Sequence, residues 1–110
     1  MSLMHLYPLD GAVHDVPVDG AAFSQREVKF SHIIAGIDSE PGNMPAHRDW
    51  VRSYWSALHP HSAGGAYVNF MMDEGQDRIR ATYGGNYARL AELKRKHDPS
   101  NVFHMNQNIR

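Results

Sequence analysis

In the run Ala66-Tyr67-Val68-Asn69-Phe70, an aromatic ring stands two residues before an amide. An amide both donates and accepts, so it can serve ring carbonyls and imides, while an aromatic side chain covers an edge. The same two residues also read as an ordinary strand aromatic and a turn-satisfying amide. Phe70 carries no titratable proton and cannot act as a general base. Asp73 and Glu74 are adjacent, so they diverge on a strand or a helix and form no convergent acid/base pair. The eight histidines include no i, i+4 pair on a helix, and no carboxylate stands at a fixed offset from them, so a zinc site is not expected. With no cysteine, thiolate metal sites, disulfides and a Cys nucleophile are excluded. No Gly-rich phosphate loop follows a strand, and no Gly-x-Ser-x-Gly occurs.

The elements that must position Tyr67 and Asn69 can be read in order. Leu6 to Val18 is punctuated by Pro8, Asp10-Gly11 and Pro17 and reads as an edge strand or arm, followed by the Asp19-Gly20 turn and a loop anchored by Phe23. From Glu27 to Ile37, Val28, Phe30, His32 and Ile34 alternate with Lys29 and Ser31, which makes this the best strand in the chain. Pro45 opens a helix in which Val51, Tyr54, Trp55 and Leu58 fall at i, i+3, i+4 and i+7, predicting a continuous buried face; Trp50 is left unplaced. Tyr67–Phe70 reads as a short strand, with Tyr67 and Asn69 on one face. Asp77–Thr82 predicts a short helix feeding Gly84-Gly85, where two glycines allow positive φ. Asn86 is placed to cap a helix running to Lys96, whose last turn gathers Lys94, Arg95, Lys96 and His97 before Asp98-Pro99 stops it. The predicted class is α+β: a small antiparallel sheet, with Glu27–Ile37 and Tyr67–Phe70 as its surest strands, covered by the helices at Pro45–Leu58 and Asn86–Lys96.

At 110 residues the chain is long enough for one domain with a modest core. Its formal charge of −1, with no basic run beyond Lys94–Lys96, gives nucleic acid no electrostatic footprint. No apolar run is long enough to span a bilayer, and Met1-Ser2-Leu3-Met4 is too short and uncharged for a signal peptide. The second methionine, Met4, hints that the first three residues are an appended scar.

Several of these pieces fall in register from Tyr67 to Ile109. Tyr67-Val68-Asn69-Phe70, Tyr83-Gly84-Gly85-Asn86-Tyr87-Ala88-Arg89-Leu90, Lys94, Asp98-Pro99-Ser100-Asn101-Val102-Phe103 and Asn106-Gln107-Asn108-Ile109 resemble the C-terminal segment of the berberine bridge enzyme-like FAD-linked oxidases. A weaker likeness runs from Leu9-Asp10-Gly11-Ala12-Val13 to Phe23 and Arg26. The resemblance implies that residues 1–65 are the end of a substrate domain and that 66–110 are the flavin-facing strand, Gly-Gly loop, helix and tail. It implies that Tyr67 and Asn69 line the isoalloxazine of FAD. Asn86 is either a further cofactor contact or only a helix cap.

Where many members carry a proton-accepting tyrosine, this chain has Phe70 in the substrate pocket. Either the base lies elsewhere or the usual chemistry is lost, and no catalytic residue is assigned. The implied partners are an FAD-binding domain, in the same or a separate chain, and a small-molecule alcohol, sugar or phenolic substrate, with oxygen as electron acceptor. The family's covalent flavin links arise in sequence upstream of this segment. The chain alone is expected to be inactive, not to retain FAD and, with its faces uncovered, to form a homo-oligomer. The alternatives are a freestanding binding or assembly module and one chain of a split oxidase.

Overall fold

Residues 1–105 and 107–110 are described by the computed structural model. They form two units, the first comprising Met1–Leu9 and Lys29–Gly64 and the second Asp10–Val28 and Gly65–Arg110. Among the described residues no helix is long and apolar enough to cross a membrane.

In the first unit, the alternating stretch predicted over Glu27–Ile37 forms β2 (Phe30–Gly36), which pairs antiparallel with β1 (Ser2–Pro8) in a register that sets Ser2 opposite Gly36 and Pro8 opposite Phe30. The edge strand therefore lies earlier than the expected Leu6–Val18 arm. Beyond Leu9 the Asp10 carboxylate takes the Gly11 N–H at 2.7 Å and folds Gly11–Val13 into a 3₁₀ turn. Helix α1 (Met44–Leu58) begins one residue before Pro45, which leaves the proline in the first turn, where its missing N–H costs no intrahelical bond. The helix packs on β2, and a Cβ at Gly36 would lie 2.6 Å from the His47 Cβ, so close an approach that only glycine fits.

The predicted continuous buried face of α1 is only half covered. Tyr54 and Trp55 stay 37% and 38% exposed and no residue of the helix is buried, because the sheet beneath it has two strands. Trp50 finds its place against the Tyr54 ring, with centroids 5.3 Å apart. At the end of β2 the Asp38 carboxylate accepts from Glu40 N–H at 3.0 Å, Asn43 Nδ2 at 3.1 Å and His47 Nε2 at 2.9 Å, which holds its pKa well below the usual carboxylate range.

The second unit has a core. Met71, Ile79, Tyr87 and Ala91 are buried together, with Ala66, Val68, Tyr83 and Ile109 packed on them. Ile79 comes from α2 (Gln76–Tyr83), and Tyr87 and Ala91 from α3 (Tyr87–His97), where the i, i+4 spacing of the latter two sets both on the inward face. Gly84 takes the positive φ expected of the Gly-Gly turn, +53°, at the corner between these helices. The end of α3 is clasped by Asp98, whose side chain receives the Val102 N–H at 2.7 Å, the Phe103 N–H at 3.0 Å and the Lys94 ammonium; Lys94 also donates to the Phe103 carbonyl. The Lys94 partnership, joined by the two backbone donors, lowers the Asp98 pKa. The class is α+β, a two-stranded antiparallel sheet with helices.

Candidate functional site

The residues expected to do chemistry all fall in the second unit, and their local structure departs from the sequence reading. Tyr67–Phe70 is not a strand. Val68–Phe70 is a 3₁₀ turn, closed by Phe70 N–H to Tyr67 C=O at 2.9 Å and Met71 N–H to Val68 C=O at 3.3 Å. A tight turn folds residues 67 and 69 toward each other instead of setting them in a row, and the Asn69 Nδ2 donates to the Tyr67 hydroxyl oxygen at 2.7 Å. Phe70, expected on the opposite face, instead meets Tyr67 edge to face at 5.1 Å between centroids. Three residues thus form one exposed aromatic and amide surface, with Tyr67 41% and Phe70 52% exposed. Val68 turns the other way and packs on the core.

The segment Phe23–Arg26 ties this surface to the Gly-Gly corner. The Phe23 ring stands edge to face with Tyr67 at 6.2 Å, and the Arg26 guanidinium lies 5.1 Å over Phe23 while its Nε donates to the Phe23 carbonyl at 3.1 Å. The Ser24 hydroxyl donates to the Thr82 carbonyl at 3.0 Å, and a Cβ on Gly84 would touch Ser24 at 3.5 Å. Gln25 lies so close to Gly65 that a side chain there would meet its amide at 2.3 Å. Tyr67 and Gly84 are therefore attached to the same four residues. Of these, the sequence marked Phe23 as a loop anchor and marked Phe23 and Arg26 together through the weaker likeness; Ser24 and Gln25 carried no signal at all.

Asn86 does not cap the helix that follows it. It has helical backbone angles and makes no side-chain cap bond; Gly84–Asn86 is a 3₁₀ turn running directly into α3. Its Nδ2 instead donates to the Val18 and Ala21 carbonyls at 2.7 and 2.9 Å, pinning the loop at 18–21 to the start of α3. That loop, with Arg89, Leu90 and Leu93, lines a hollow of about 160 Å³. Burial pushes the Tyr83 phenol pKa up.

The closing residues fold back onto their own unit. Gln107 Nε2 donates to the Met71 and Met72 carbonyls, both at 3.1 Å, and the Asn108 carbonyl accepts from Gln76 Nε2 at 3.0 Å. The Tyr87 hydroxyl donates to the Arg110 carbonyl at 2.7 Å and accepts from the Arg110 N–H at 3.2 Å. Asn108, only 8% exposed, is part of the core rather than a solvated tail. Asn106, the first residue of the predicted closing run, lies outside the described residues. Among the described residues no three His, Cys, Asp or Glu side chains gather as a metal-ion group.

An exposed aromatic surface with an adjoining amide suits the edge of a planar, hydrogen-bonding ring system, so Tyr67 and Asn69 fit a flavin in chemical character. Phe70 offers it no proton.

Residues 66–110 match the family described as berberine and berberine like. Across 99 residues, 90% of this chain and 22% of the relative, the sequence is 32% identical to the FAD-linked oxidoreductase YvdP of Bacillus subtilis. Similarity to the tetrahydroberberine oxidase of Berberis wilsoniae is 29% identity over 93% of this chain and 22% of that protein. A carbohydrate oxidase of Microdochium nivale is 45% identical over 56% of this chain and 12% of its own length. The chain spans about a fifth of the length of the curated relatives matching most of it.

Proposed function

Residues 66–110 being a berberine and berberine-like segment, we propose that this chain is the C-terminal part of an FAD-dependent oxidase, covering the isoalloxazine ring and shaping the substrate pocket. The observation that carries the reading is the Tyr67–Asn69–Phe70 surface. It is held from behind by Val68 in the core and from the side by Phe23, yet it presents its rings and amide outward. A surface backed by the core and half exposed at its rings meets a planar ligand with few groups left to order.

In this reading Tyr67 and Asn69 face the flavin, Phe70 lines the substrate side, and Asn86 acts one step away by fixing the loop at 18–21. The flavin supplies the oxidising power when bound, and this chain's residues orient it and exclude water from it. In this reading the general base, which Phe70 cannot be, lies elsewhere. A small-molecule substrate and an FAD-binding domain are the partners. A second reading, a freestanding module that keeps the shape without the redox role, draws its support from Phe70.

A chimera decides between them. This chain is joined in place of the last fifth of the Bacillus subtilis relative. The chimera should purify yellow, and Tyr67→Ala or Asn69→Ala should shift its flavin absorption. A colourless chimera, or a spectrum indifferent to both substitutions, would overturn the assignment. The isolated chain, mixed with FAD and dialysed, should come out colourless; a retained chromophore would show that it needs no second domain.

A further inference from the structure

This inference rests on the flavin reading and names the proton acceptor that Phe70 cannot be. Of the three residues on the exposed surface of the second unit, only Tyr67 carries a titratable proton. The turn that carries them decides where its hydroxyl stands. Side chains three positions apart in a 3₁₀ turn lie one above the other, and the bond from Phe70 N–H to Tyr67 C=O at 2.9 Å closes such a turn between these two residues. Their rings accordingly meet at 5.1 Å between centroids. A phenol at position 67 therefore borders the same ground as the phenyl at position 70.

The turn also prepares that phenol to lose a proton. Asn69 Nδ2 donates to its oxygen at 2.7 Å, which fills one acceptor site of the hydroxyl and leaves the hydroxyl's own proton to be passed to another group. Once the proton goes, the same N–H faces a charged oxygen, and a hydrogen bond to a charged partner is roughly twice as strong as a neutral one. A base oriented by a second group is the arrangement that proton abstraction needs. The ring itself is held in place. Phe23 meets it edge to face at 6.2 Å, the neighbouring Val68 packs on the core, and Gln107 Nε2 fixes the Met71 and Met72 carbonyls just beyond the turn, both at 3.1 Å.

We propose that Tyr67, oriented by Asn69, is the general base of the oxidation. Its phenolate oxygen takes the proton of a substrate hydroxyl while the hydrogen on the carbon bearing that hydroxyl leaves as hydride for the flavin. The substrate's O–H and C–H bonds break, a C=O double bond and a phenol O–H bond form, and both electrons reach the flavin. The phenol's proton then passes to solvent. The substrate must carry its hydroxyl on a carbon that still bears hydrogen.

The test grafts the whole 110-residue chain in place of the corresponding C-terminal part of the Microdochium nivale carbohydrate oxidase. The probe is a reducing sugar that the parent oxidase consumes, mixed without oxygen, and flavin bleaching is the readout. Tyr67→Phe keeps the ring, so it should keep the yellow colour and slow the bleaching by about a hundredfold or more. Adding Phe70→Tyr to that variant restores a phenol one place above and should recover about tenfold or more. Asn69→Leu should move the acid limb of the rate against pH to higher pH, which a loss of packing alone does not do. The assignment of Tyr67 is overturned, with the flavin reading intact, by a yellow graft that sugar never bleaches or that bleaches equally fast with Tyr67→Phe. It is overturned as well by a double variant as slow as the single one, or by an acid limb that Asn69→Leu leaves in place. A colourless graft overturns the flavin reading, and this assignment with it.

Discussion

The two units of this small chain solve the same problem to different degrees. The second buries Met71, Ile79, Tyr87 and Ala91 behind two helices and ties its tail down through Gln107, Asn108 and Arg110. The first sets one helix on two strands and buries no residue fully among those described; Phe30, Ile37, Tyr54 and Trp55 all remain substantially exposed. A helix needs a covered stripe about 100° wide, and a sheet of two strands is too narrow to supply it. The difference teaches that periodicity in α1 and β2 signals which faces are apolar, while the amount of neighbouring structure decides whether those faces are buried.

If the second unit carries the packing, truncation should separate the two sharply. Ile79→Ala is expected to lose about 2–4 kcal/mol in urea unfolding, the usual cost of emptying a core site, whereas Ile37→Ala, on the exposed side of the comparison, should lose about 0.5 kcal/mol or less. Equal losses would break the contrast. Tyr87→Phe comes next, removing both hydroxyl bonds to Arg110 and costing about 1–2 kcal/mol, with faster amide exchange at residues 107–110 as its local signature.

Acid gives the smallest and most discriminating test, since each unit holds one carboxylate with a lowered pKa. A folded-state pKa below the unfolded value near 3.9 contributes stability that is present above that value and is lost as pH falls through the folded one. Stability should therefore be insensitive to these groups at neutral pH and decline below about pH 4. Asp98→Asn should flatten the decline for amides of α3 and the Val102–Phe103 turn, and Asp38→Asn for those around α1 and the end of β2. Loss of protection in both units from either substitution would show that they unfold as one.

Local chemistry was legible where it was self-contained. The β2 alternation, the stop at Asp98-Pro99, the positive φ at Gly84 and the span of the Pro45 helix all came through with boundaries off by a residue or a few. What failed was whatever depended on a distant partner. Tyr67–Phe70 has a strand's composition, but it folds as a turn in a segment whose Val68 and Ala66 pack on the core while Gln25 crowds Gly65. Asn86 has a cap's identity and position, but two carbonyls from the loop at 18–21 claim its amide.

The sequence by itself determined the class, the order of the helices and, through motifs in register, the likeness to FAD-linked oxidases. These depend on residue types at short, fixed spacings. Only the tertiary structure decided that Tyr67, Asn69 and Phe70 share one surface, that Phe23–Arg26 joins it to the Gly84 corner, and that the closing residues enter the core. The last two rest on contacts between residues far apart in the chain, and the first on a local turn whose Val68 packs on a core drawn from other elements, so nothing in the local pattern specifies them.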